Sequence, residues 1–160
     1  MEQLIQLERD AREPYFLSMQ GKLYFYFFQA GTNPIAFQPN QMWRKEYLGS
    51  TGNWTEEEPW GQTGEIAWQY NIENGTAYAG SYAGNHYDFF ALGDVSMMLN
   101  KSKDGVNWEP VDKDEPVSYV GGGSELGWGF DLQGHFWGVV RNEDGDESGW
   151  GSRVAHGYPG

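Results

Sequence analysis

The 160-residue sequence contains no cysteine. That excludes a disulfide framework and any thiolate metal site. No apolar run approaches the roughly 18 residues that a membrane helix needs. The opening stretch MEQLIQLERD lacks the apolar core of a signal peptide. The chain is therefore expected to be soluble and without an export signal, and its compartment is left open. Basic residues are scarce: 10 Lys and Arg against 23 Asp and Glu give a net charge of −13. That balance argues against a nucleic-acid or anionic-membrane surface. It leaves room for a small anionic ligand, because a few arginines can decide a pocket. Helical periodicity is absent too, apart from a turn over residues 1–9 that reads equally as a strand remnant.

Aromatic residues and glycine are abundant: 8 Trp, 10 Tyr, 9 Phe and 23 Gly. Together they favour short strands joined by tight turns. The clearest case is a hairpin over residues 123–147. Leu126, Trp128, Phe130 and Leu132 alternate with Gly127, Gly129 and Asp131, the period of a half-buried strand. Asp131 to Gly134 supplies the turn, and residues 135–141 run back as a second strand. A turn centred near Gln133 pairs residues whose numbers sum to about 266, which sets Glu125 against Arg141 at the open end. The pair reads either as an exposed ion pair, worth about 0–1 kcal/mol, or as half of a ligand site.

The pattern recurs. Glu13, Glu65 and Glu125 each precede an aromatic strand, a glycine turn and a second strand, with starts 52 and 60 residues apart. Antiparallel repeats of this length mark the blades of a β-propeller. The expected fold is all-β, one partial propeller domain over residues 1–160, with four-stranded blades near 10–60, 61–120 and 121–160. Third strands are expected at 41–48 and 95–100, and fourth strands opening at Asn53-Trp54 and Asn107-Trp108. Polar linkers at 31–40, 82–93 and 142–149 would carry function.

Ser102, Asp104, Gly105 and Trp108 form a turn motif in which the carboxylate caps backbone N–H groups and the indole packs beneath. Ser50 to Trp54 reads as a degraded copy, 54 residues before Trp108. The motif resembles the Asp-box of the sialidase (neuraminidase) superfamily, shortened by one residue. The hairpin with Glu125 and Arg141 is similar to the same superfamily, and Asp10-Ala11-Arg12-Glu13-Pro14 is similar to the segment that opens an early blade there. The resemblance implies a six-bladed propeller when complete, with a structural Asp-box away from the active site. It implies that Arg141, with Arg12, binds an anionic sugar. It implies that Glu125 partners a tyrosine nucleophile outside this chain. Asp10 and Glu13 become acid/base candidates. Glycosidases of this kind use tyrosine because a carboxylate nucleophile would meet an anionic substrate.

The acidic run 142–147 lacks the ligand spacing of a calcium loop and reads as a solvated loop. His86, His135 and His156 show no zinc spacing, and no metal or cofactor is expected. Three Asn-x-Ser/Thr matches read as chance. The expected partner is a carbohydrate, together with self-association through unclosed blade edges. The leading function is a sialidase-like glycoside hydrolase present as roughly half of an enzyme. The alternatives are a five-bladed glycosidase or phosphorylase that acts on neutral sugars with two carboxylates, and a carbohydrate-binding propeller without catalysis.

Overall fold

The computed structural model describes residues 9–33, 38–84 and 94–158. Most of the turn expected over residues 1–9, the middle of the 31–40 linker, most of the 82–93 linker and His86 lie outside the described residues. Within them the chain forms thirteen strands and no helix. The strands make three antiparallel sheets. The chain divides into two compact units, Met1–Ile66 and Ala67–Gly160.

The first unit holds β1 (Asp10–Met19), β2 (Lys22–Ala30), β3 (Pro39–Leu48), β4 (Asn53–Trp54) and β5 (Glu58–Trp60). They follow the order β1-β2-β3, with β4 and β5 both paired to β3. Gln20 and Gly21 both take positive φ, the turn whose twist matches that of the flanking strands. The central strand β2 is buried on both faces from Tyr24 to Ala30, which is why it reads as an unbroken aromatic run. Trp60 meets Tyr26 edge-on at 6.0 Å. Arg44 is buried, ion-paired with Glu58 and set over the Tyr24 ring.

The second unit holds two sheets. One runs β10 (Tyr119–Gly121), β8 (Val95–Ser102), β7 (Thr76–Gly84), β6 (Ile66–Glu73), with β9 (Glu109–Pro110) also on β8. The other runs β11 (Gly123–Phe130), β12 (Phe136–Asp146), β13 (Gly149–Gly157). They pack face to face by a knob and a notch. A Cβ added at Gly80 on β7 would lie 2.8 Å from Trp128 Nε1 and 2.9 Å from Leu126 Cδ2, so only glycine leaves room for those side chains. Tyr78 meets Phe130 at 5.0 Å beside them. The Gln69 amide then ties the sheets by donating to the Trp128 carbonyl at 2.8 Å and accepting from its N–H at 3.1 Å. Those backbone groups lie on the edge of β11 away from β12, so a side chain satisfies what no strand does.

The turn after β8 is built by Asp104. Its Oδ1 accepts from the N–H groups of Val106 and Asn107, both at 2.8 Å, and from Ser102 Oγ at 3.0 Å. Ser102 Oγ accepts from Gly105 N at 2.9 Å, and Trp108 packs edge-on against Tyr70. Burial raises the Asp104 carboxyl, but these donors outweigh it and hold the group well below the usual carboxylate range.

Several expected boundaries move. The acidic run 142–147 is not a loop: β12 continues through it to Asp146, and β13 returns from Gly149. The short fourth strand of the second sheet begins after Trp108, at Glu109, because the capped turn still occupies Asn107. β5 and β10 were not expected, since three-residue strands carry no readable period.

Asp104→Ala should cost about 1–3 kcal/mol in urea unfolding, since turn N–H groups lose their acceptor. The carboxyl's stabilisation is complete above about pH 4 and drains away as pH falls towards its lower folded value. Asp104→Asn should therefore flatten the acid limb of the stability curve. Gly80→Ala should cost about 1–3 kcal/mol by overpacking.

Candidate functional site

Glu125 owes its position to one extra residue. From the turn outward, Phe130 faces Phe136, Gly129 faces Trp137, Trp128 faces Gly138 and Gly127 faces Val139. Then the register slips, and Ser124 faces Arg141. Glu125 and Leu126 fall where β12 has only Val140. Glu125 absorbs the slip with a φ of 52°, a left-handed conformation that a side chain disfavours. Bulges of this kind re-aim side chains and are enriched beside active sites. The register summing to 266 thus holds for the turn half and becomes 265 beyond it, so Glu125 is not directly opposite Arg141. The contact forms all the same: Arg141 Nη1 lies 2.6 Å from Glu125 Oε1.

Arg141 has a second carboxylate partner. Its Nη2 lies 3.4 Å from Glu143 Oε1, and the buried Ser124 donates to Glu143 Oε2 at 2.8 Å. The arginine side chain is 53% exposed and the two glutamates 30% and 21%. Desolvation lowers the guanidinium pKa, but Glu143 and Glu125 outweigh it and the net shift is upward.

The first unit repeats the bulge. Arg12 faces Phe28 and Tyr15 faces Tyr26, so Glu13 and Pro14 oppose Phe27 alone. Glu13 has a φ of 49°. Pro14 has no N–H to contribute to a ladder, which suits it to a bulge. Asp10 accepts from Arg12 Nε at 2.5 Å, and both line an open depression with Arg9, Gly31, Thr32 and Asn33. The Tyr15 phenol is pushed up by burial and by the charge of Glu13, the opposite of what a nucleophile requires. Glu65 differs from the other two glutamates. Positive φ falls on Gly64 instead, and Glu65 is buried and accepts from Gln62 N at 2.9 Å.

Glu143, Ser124 and the bulge itself escaped the sequence reading. The alternation of β12 could have placed Glu143 on the same face as Arg141, two residues on. Nothing in the sequence announces a one-residue slip. The acidic run is occupied by its own structure: Asp146 accepts from Tyr119 at 2.8 Å and from Arg153 at 2.7 Å. These partners and Ser148 hold its carboxyl well below the usual range. Among the described residues, no three His, Asp or Glu side chains converge as metal ligands.

The strained conformation gives a direct check. Glu125→Gly should be more stable than Glu125→Ala by about 1 kcal/mol, the reverse of the order at an ordinary strand position. The same inversion should appear at Glu13, measured by denaturant unfolding.

No protein family and no curated protein matches this chain. Solved structures do. A crystal structure of a GH43_1 enzyme from Xanthomonas citri superposes with a TM-score of 0.57 at 14% identity, over 91% of this chain and 50% of that one. CoXyl43, a GH43 β-xylosidase/α-arabinofuranosidase from a compost microbial metagenome solved with xylotriose, gives 0.52 at 15% identity, over 87% and 44%. This chain spans about half the length of the structures it matches. Both neighbours are GH43 enzymes rather than sialidases, so the likeness does not carry the sialidase assignment. The fold of these sheets is that of the β-propeller glycoside hydrolases.

Proposed function

We propose that this chain is part of a propeller glycoside hydrolase that acts on neutral, pentose-type sugars, with Glu125 as an acid/base carboxylate. The observation that carries the reading is the setting of Glu125: a glutamate held at positive φ on a bulge, beside an arginine, in a sheet of glycoside-hydrolase fold. Backbone strain retained at a polar residue points to function, because glycine would be less costly there. Glycosidases on neutral sugars use two carboxylates, one to protonate the leaving oxygen and one to activate water or attack. Glu13, in the other unit, has the same bulged setting and is proposed separately as a further such carboxylate. Asp10, ion-paired with Arg12, ranks below it.

The anionic-sugar alternative has less behind it. A guanidinium that grips a substrate carboxylate works best when its fork is free. Arg141 is instead committed to Glu125 and Glu143, so the cluster carries more negative than positive charge. A sialic acid carboxylate would be repelled there. The role proposed for Arg141 is to orient Glu125. The turn at Asp104 is proposed as structural, and Trp108 as its packing support.

The test is a pair of assays on protein that contains this chain, with an aryl β-xyloside or α-L-arabinofuranoside and with an aryl sialoside. Turnover is expected on the pentosides alone. Glu125→Gln should lower that turnover by about 10²–10⁴-fold with binding preserved. Turnover confined to the sialoside would restore the anionic reading. Full activity in Glu125→Gln would remove Glu125 from the chemistry.

A further inference from the structure

The end of the third sheet that carries Glu125 and Arg141 also carries a tryptophan. Trp150 stands at the start of β13 and is 69% exposed. The ladder fixes its place. Arg141 faces Ser152, Asn142 faces Gly151 and Asp146 faces Gly149. Residues 143–145 therefore oppose Trp150 alone, and Glu143, the second carboxylate on Arg141, is among them.

The indole is laid flat on a glycine. A Cβ added at Gly145 would lie 3.4 Å from Trp150 Cε2 and 3.5 Å from both Cδ2 and Cζ2. Near-equal distances to three atoms of the six-membered ring put that position over the face of the ring, not at its edge. One face of the indole thus rests on the backbone of Gly145, which is buried and has a φ of 77°. The exposure of the side chain belongs to the other face. The segment that carries the ring is tied down on both sides. Asp146 accepts from Ser148 N at 2.8 Å and from Arg153 Nη2 at 2.7 Å, and Asn142 Nδ2 donates to the Gly149 carbonyl at 2.8 Å.

We propose that Trp150 is a sugar platform: it stacks the sugar unit next to the one on which Glu125 acts, and so selects oligosaccharides. The inference rests on the reading of Glu125 as an acid/base carboxylate of a neutral-sugar hydrolase. A sugar ring presents C–H groups on its faces and hydroxyls around its rim. A flat indole suits the first, and the carboxylates and guanidinium beside it suit the second. Residues 125 and 150 stand two strands across and two residues along from each other, about 12 Å between backbones by strand spacing. That span calls for more than one sugar unit. An aromatic ring fixed before binding also loses little conformational freedom when a ligand covers it.

Two readings on protein that contains this chain test the platform. One is the affinity for xylotriose, by titration calorimetry in the Glu125→Gln background. The other is turnover of an aryl β-xyloside by the unmodified protein. Adding Trp150→Ala should weaken xylotriose binding at least about tenfold. The melting temperature should not move, because the ring lies on the surface. Trp150→Tyr should restore most of the affinity, because it returns a flat ring. Trp150-dependent binding of xylotriose without pentoside turnover would uphold the platform and sink the chemistry assigned to Glu125. Pentoside turnover with a xylotriose affinity indifferent to Trp150→Ala would overturn the platform and leave that chemistry standing. A protein that binds no xylotriose overturns the platform outright.

Discussion

One residue too many in β11 decides what the conspicuous side chains of this protein do. In an antiparallel hairpin, register fixes which side chains share a face, and a slip of one residue reverses every assignment. Here Trp128 and Leu126 must both point inward to enter the notch at Gly80, while Ser124 must also be buried. The bulge lets the ladder slip without turning the inner face outward, and Glu125 takes the left-handed backbone that the slip demands. Its carboxylate is then delivered to Arg141 by backbone geometry, not by direct opposition across the strands.

The recurrence of the bulge at Glu13 shows that it belongs to the plan of the fold. Both glutamates lie near the start of a strand, both fall where two residues oppose one, and both have φ near 50°. Under the proposed function, glutamate is kept at this conformation, where glycine would relax, for its side chain. Glu65 provides the contrast. With glycine at the strained position, its carboxylate turns inward and serves the backbone of its own loop.

Much of the fold was legible because strong periods are hard to misread. The alternation in β11, the aromatic run of β2 and the Gln20-Gly21 and Asn74-Gly75 turns fix strands and hairpins from local chemistry alone. Residues 142–147 misled because charge and glycine normally mean loop, whereas Asp146 extends the strand by gathering Tyr119, Arg153 and Ser148 around it. The Glu125–Arg141 pair was legible as a meeting of charges. Its chemical meaning was not, because a second carboxylate, Glu143, shares the Arg141 guanidinium with Glu125. A motif likeness to sialidases is carried by short turn chemistry that any hairpin with the same capping need can adopt.

The central claim is that Glu125 meets a neutral sugar at the scissile oxygen. The most direct measurement is a crystal structure of the Glu125→Gln protein soaked with xylotriose. The account predicts the residue 125 side chain within about 2.6–3.2 Å of a glycosidic oxygen, or joined to it through one water, with Arg141 still turned towards it. A sugar bound elsewhere, with residue 125 facing only Arg141, would contradict it.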